Sequence, residues 1–129
     1  MCELCLTGSH APPKTPGVKK TGPAVYVVLC SCPESDASPL ASVLVGERLA
    51  ACVNIVPAVR SIYRWEGRIH NDAESLLVIK TTDDGVASLT KRLVEEHPYE
   101  VPEVIALPVS EGHEAYMRWI LGAVGPTPE

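Results

Sequence analysis

The apolar pattern of the chain becomes regular only after residue 24. Val25-Tyr-Val-Val-Leu-Cys-Ser-Cys32 carries apolar side chains on both alternating sets, as a strand buried on two sides does. Ser38-Pro39 predicts a helix start, because serine caps free amides and proline fits a first turn. Leu40, Val43 and Leu44 follow at helical spacing to about Leu49. The segment from Cys52 to Val59 is strand-like, and Pro57 predicts a bulge or bend within it. Ser61-Ile-Tyr-Arg-Trp65, Glu66-Gly67 and Arg68-Ile69 read as a hairpin turn, with Glu74 to Thr82 as a further strand. Asp83 or Asp84 is expected to cap a second helix, whose apolar face is Val86, Leu89, Leu93 and Val94 and which must stop before Pro98. Glu103 to Val109 is the last long strand. Glu111 to Leu121 is a third helix with Tyr116, Trp119 and Ile120 on one side.

This order, β-α-β-β-α-β-α, predicts an α+β fold: the ferredoxin-like split β-α-β arrangement with an added C-terminal helix. In that arrangement two helices cover one face of the sheet and leave the other bare. VYVVLC, SLLVIK and EVIALPV are nevertheless apolar on both faces. The third helix can cover part of the second face, and a partner subunit is the natural remainder, so a homo-oligomer is expected.

Composition divides the chain at the same place. Residues 1–24 hold four prolines, three glycines and three lysines without periodicity, and read as an N-terminal extension to one domain at 25–129. In the extension Lys14, Lys19 and Lys20 stand against Glu3, whereas the body is strongly acidic. An acidic body argues against nucleic-acid binding, which neutralises phosphates with clustered Lys and Arg, and suits cations better. No apolar run approaches the roughly 20 residues of a membrane span. The N-terminus lacks a basic stretch followed by a continuous apolar one, so a cytoplasmic location is expected.

The five cysteines, at 2, 5, 30, 32 and 52, form no even framework of disulfides. Cys2-x-x-Cys5 has half of a zinc spacing and no second half. Cys30 and Cys32, two apart on one strand, share a face and offer soft thiolate ligands for copper or zinc, or simply small core side chains. Cys52 reads as packing. His97 ends the second helix beside Glu95 and Glu96, either favoured by the helix dipole or as part of a mixed ligand set for Cu(II) or Zn(II). His70 and His113 lack supporting neighbours. Lys80 ends an apolar strand and calls for water or a carboxylate, with Glu103 the obvious partner; with Trp65 and Tyr99 the pair suggests a small polar cleft or an interface salt bridge. No GxSxG, Walker A, GxGxxG or HExxH signature occurs, so no catalytic role is suggested.

With these segments laid out, the chain resembles the CutA divalent-cation-tolerance family. The resemblance rests on VVLCSCP (27–33), ERLAACVNIVP (47–57), SIYRWEGRI (61–69), LLVIKTT (76–82), HPYEVPEVIALPV (97–109) and YMRWI (116–120). It covers about residues 25–122. It implies a ferredoxin-like subunit assembled as a homotrimer, similar in architecture to PII signalling proteins, with a relation to divalent cations and reported copper binding. The family's metal positions, a cysteine ending the first strand and two histidines before Pro-Tyr, fall here on Cys30, Glu96 and His97. Glu96 in the first histidine position hardens the site, and Cys32 adds a thiol. The family's inter-subunit cleft corresponds to Trp65, Lys80, Tyr99 and Glu103. A trimeric, non-catalytic metal-response protein is the leading expectation, followed by a PII-like signalling adaptor with a small ligand in that cleft. An enzyme using Lys80 or Glu103 as acid or base comes last.

Overall fold

The structure, a computed structural model, describes residues 25–126; the N-terminal extension, with Cys2 and Cys5, lies outside the described residues. The described residues form four strands: β1 (Val25–Cys32), β2 (Cys52–Trp65), β3 (Arg68–Thr82) and β4 (Ile105–Pro108). They form one antiparallel sheet in the order β2-β3-β1-β4. Helices α1 (Glu34–Gly46) and α2 (Val86–Glu96) connect them, and α3 (Glu114–Ala123) follows β4. This is the split β-α-β arrangement with an added C-terminal helix.

Strand alternation separates the two sheet faces. On the face covered by α1 and α2, Val28, Cys30 and Cys32 of β1 meet Leu77 and Ile79 of β3, Leu40 and Leu44 of α1, and Leu89 and Leu93 of α2 in one core. On the opposite face, Val27 and Leu29 are flanked by Val78 of β3 and by Leu107 and Ile105 of β4. Helix α3 covers only one end of that face, where Ile120 buries against Val25 and Ala51. Leu107 and Ile105 are left 45% and 49% exposed. The two-sided apolar strands thus have one covered face and one that is largely open.

Helix boundaries differ from the sequence reading for local reasons. Helix α1 begins at Glu34, four residues before Ser38, with Pro33 as its N-cap and Glu34 and Asp36 in its first turn. Carboxylates there complement the helix dipole, and Pro39 lies inside the helix rather than at its start. The helix also stops at Gly46, and Leu49 belongs to the loop beyond it. Before α2, Asp83–Gly85 forms a 3-10 turn capped by the Thr82 hydroxyl, which accepts from the Gly85 N–H at 3.1 Å. Gly85 is required by close approach: a Cβ there would lie 2.8 Å from Thr81 Oγ1, whose hydroxyl is held by the Leu49 carbonyl. Of the predicted α2 face, Leu89 and Leu93 are fully buried and Val94 is exposed. In α3 only Ile120 is fully buried, with Met117, Leu121 and Ala123 packing partly beside it, while Tyr116 and Trp119 stack on each other at the surface.

Strands β2 and β3 make a long hairpin that outreaches the other strands. Glu66 and Gly67 both have positive φ (51° and 79°), as a two-residue hairpin turn with matching twist demands. The register shifts between Val56 and Val59, placing a bulge at Pro57-Ala58. Ala58, at φ 61°, is steadied by its N–H donating to Glu34 Oε2 at 3.2 Å. No helix among the described residues is long and apolar enough to cross a membrane.

Leu77 is fully buried at the centre of the core, so Leu77→Ala is expected to destabilise the fold by about 2–5 kcal/mol, measured by denaturant unfolding. A second prediction concerns pH. Burial pushes the Cys30 thiol from 9.0 to about 12 and Cys32 to about 11, with negative neighbours adding to the shift. The unfolded chain therefore gives up these protons first as pH rises, and stability should fall between about pH 9 and 12. In Cys30→Ala/Cys32→Ala the alkaline decline should be shallower; an unchanged slope would count against buried neutral thiols.

Candidate functional site

Strand β1 runs past the end of β4. The pairing between them extends from Tyr26 opposite Pro108 to Leu29 opposite Ile105, so the last residues of β1 have no strand neighbour on that side. A backbone carbonyl in such a position needs another donor. His97, the C-cap residue of α2 and only 7% exposed, supplies it. Its Nε2 donates to the Ser31 carbonyl at 2.8 Å, and its Nδ1 accepts from the Tyr99 N–H at 3.1 Å. Because a carbonyl only accepts, this arrangement places the imidazole proton on Nε2.

Cys30 reaches the same carbonyl from the helix face, with Sγ 3.7 Å from Ser31 O. The two side chains expected as metal ligands are thus brought to one atom. Their surroundings favour the protonated thiol: Cys30 is fully buried, and burial, then the neighbouring Cys32 and the charges of Glu103 and Glu74, pushes it up to about 12. Glu96 is engaged elsewhere, pairing with Arg92 Nη1 at 2.5 Å, and Arg92 also holds Glu47. Cys32 lies in the core beside α1. Among the described residues, no group of three or more His, Cys, Asp or Glu side chains is arranged to hold a metal ion.

On the open face, Ser31 leads into a cleft of about 580 Å3. Trp65, Tyr99 and Glu103, singled out in the sequence for a cleft between subunits, line it together with Tyr63, Ser61, Glu74 and Glu100 of the same chain. The Ser31 hydroxyl donates to Glu103 Oε1 at 3.1 Å, and the Tyr99 hydroxyl donates to Glu74 Oε2 at 2.5 Å. Tyr63 donates to Asp72 Oδ2 at 2.7 Å and stacks on His70, giving that histidine a neighbour the sequence did not suggest. Burial, then the bond to Glu74, holds the Tyr99 phenol protonated well above its usual range. The bond to Asp72 raises Tyr63 in the same direction.

Lys80 does not meet Glu103 within the chain. It stands opposite Val27 and Cys52, and its ammonium donates to Asn54 Oδ1 and lies 3.9 Å from Cys52 Sγ. Glu74 shares its strand and face but is six residues away, roughly 20 Å along an extended strand. Sequence reasoning missed Ser31 and Glu74. Glu74 did carry a signal, being an acid that heads an apolar strand at the same parity as Lys80; Ser31 carried none, because its role comes from where β4 stops.

Comparison with known proteins agrees with this architecture. Residues 26–123 match the family described as CutA1 divalent ion tolerance protein. The divalent-cation tolerance protein CutA of Thermus thermophilus is 50% identical over 95 residues, covering 73% of this chain and 92% of that protein. Human protein CutA is 41% identical over 124 residues, 91% of this chain and 69% of its own. The chain spans a smaller share, 56%, of the chloroplastic CutA of Arabidopsis thaliana. Among solved structures, the Thermus thermophilus protein superposes with a TM-score of 0.76 at 48% identity, over 78% of this chain and 99% of that one. A Nostoc structure described as a PII-like protein CutA in apo form gives 0.74 at 33% identity, over 78% and 97%. The chain belongs to the CutA1 divalent ion tolerance protein family.

Proposed function

We propose that this chain is a non-catalytic, cytoplasmic metal-response protein that assembles as a homotrimer and holds copper or a similar divalent metal at Cys30 and His97. The observation that carries the reading is the convergence of both side chains on the Ser31 carbonyl. Thiolate and imidazole suit Cu and Zn, and the carbonyl oxygen is a third donor at the same point. The fit is incomplete within one chain, which brings two side-chain donors; solvent or a neighbouring subunit supplies the rest. A bound metal would supply the drive to deprotonate the thiol, so affinity should rise with pH. His97 would have to exchange its bond to Ser31 for the metal.

Assembly is supported by the open sheet face. Val27, Leu29, Val78, Ile105 and Leu107 together leave an apolar surface that a second copy would bury. Ile62 and Ile69, 68% and 63% exposed on the projecting hairpin, point the same way.

A second reading is favoured by the cleft itself. A PII-like adaptor would bind a small ligand in a cleft between subunits, and a volume of about 580 Å3 is in the range of small-molecule sites. A neighbouring subunit is also the route by which Lys80 would join Trp65, Tyr99 and Glu103.

Native mass spectrometry of Cys2→Ser/Cys5→Ser, which removes the extension's thiols, tests the first reading. The expected result is a trimer gaining three Cu(II) ions, with uptake lost in added Cys30→Ser or His97→Ala backgrounds that keep their circular dichroism. A trimer that takes up no copper, or takes it up equally in those variants, removes the metal site and puts the cleft reading first. Dilution checks the assembly: loss of the trimer and loss of structure should coincide, and a folded monomer at micromolar concentration would contradict the linkage.

A further inference from the structure

Arg48 follows α1 in the left-handed backbone conformation, at φ 60°. Its N–H donates to the Val45 carbonyl at 3.0 Å, and the next N–H, of Leu49, donates to the Leu44 carbonyl at 2.9 Å. This pair of bonds is a Schellman cap, whose left-handed residue is ordinarily glycine because a Cβ is strained there. An arginine in that place points to a task for its side chain. The guanidinium reaches away from α1 to the end of α3: Nε donates to the Gly125 carbonyl at 2.6 Å and Nη2 to the Gly122 carbonyl at 3.1 Å. Gly125, at φ 103°, also turns its N–H to the Arg48 carbonyl at 3.0 Å. The last turn of α3 has no basic residue of its own. Arg48 thus supplies, from another element, the positive charge that a helix C-terminus favours.

The rest of the hold on α3 is shallow. The helix is 10 residues long and has a single fully buried side chain, Ile120, which packs with Val25 and Ala51. Cys52 packs against the same cluster, and its Sγ lies 3.9 Å from Lys80 Nζ. A short helix with one deep anchor belongs to the low-stability end of a fold and can open while the core stays closed. Arg48 also lines a surface hollow of about 450 Å3 with Ser88 of α2 and Pro126, where water can compete for its bonds.

We propose that α3 is a lid over the Cys52–Lys80 end of the open sheet face, and that Arg48 is the latch that holds it shut. Release of the latch frees the helix and uncovers Cys52, while the core between the sheet, α1 and α2 stays folded.

The test uses the full chain in its assembled state, with Cys2→Ser/Cys5→Ser as the parent. Arg48→Gly and Arg48→Asn both suit the left-handed backbone and remove the guanidinium. Hydrogen exchange read by mass spectrometry should show the α3 amides exchanging about tenfold faster or more in both variants, with β1 and β3 within about twofold of the parent. Cys52, located by peptide mapping after labelling with N-ethylmaleimide, should react about threefold faster or more. Arg48→Lys keeps a cationic donor at the same place, and its α3 should exchange more slowly than in the other two variants. Unchanged α3 exchange, the result if a neighbouring subunit holds the helix shut, overturns the lid. Faster exchange in every element, or in Arg48→Lys as much as in Arg48→Asn, overturns the latch. Faster α3 exchange with unchanged Cys52 labelling means a fraying helix that uncovers nothing, and it overturns the lid.

Discussion

The end of β1 is governed by an unpaired strand edge. β4 pairs only as far as Leu29, and the carbonyl of Ser31 beyond it takes its donor from outside the sheet. His97 meets that need, and in doing so it fixes several other features. The helix α2 must end where its C-cap imidazole reaches β1, and the Leu93 carbonyl accepts the His97 N–H at 2.9 Å to close the turn. The ring's second nitrogen then receives the Tyr99 N–H, and the turn after Pro98 sends the Tyr99 phenol to Glu74. Ser31 is the hinge of this arrangement: its carbonyl serves His97 and Cys30, while its hydroxyl faces the cleft and holds Glu103.

A soft pair of donors and an acidic cleft therefore sit on either side of one residue of backbone. They differ in dielectric. Cys30 lies in the helix-side core, where ionisation is costly, and the carboxylates that border the cleft raise that cost further. Any charge that enters the cleft would be felt by the thiol, and a positive one would favour its ionisation. The two functional readings are thus electrostatically coupled through a short distance, whichever of them selection maintained.

Much of the fold was legible because the strands are strongly patterned. The element order, the Glu66-Gly67 turn and the Pro57 bulge follow from residue type alone. The helix starts did not, since Ser38-Pro39 carries a helix signal as strong as that of Pro33-Glu34, and Thr82 rather than either aspartate caps the turn before α2. Of the cleft, only Trp65, Tyr99 and Glu103, three of its ten lining residues, were singled out in the sequence. Pairing Lys80 with Glu103 was not, because it needed the register: Lys80 faces Val27, whereas Glu103 follows the chain to Ser31, beyond the end of β4. Side-chain chemistry along a strand is visible in sequence, and the length of its neighbour is not.

The bulge shows how one backbone feature sets the chemistry of the cleft. Before it, Val56 stands opposite Leu76; after it, Val59 stands opposite Glu74. Three steps along β2 match two along β3, so one extra residue reverses the alternation of β2. Beyond the bulge the odd-numbered residues Ser61, Tyr63 and Trp65 share the face of Glu74. An unbroken ladder would have put Arg60, Ile62 and Arg64 there instead. Two guanidinium groups beside Glu74 and Glu103 would neutralise the cleft with internal ion pairs. With the bulge, Arg60 turns away to Asn71, holding its Oδ1 at 2.8 Å. The strained Ala58 and its bond to Glu34 are thus the structural cost of keeping aromatic rings, rather than arginines, over the carboxylates.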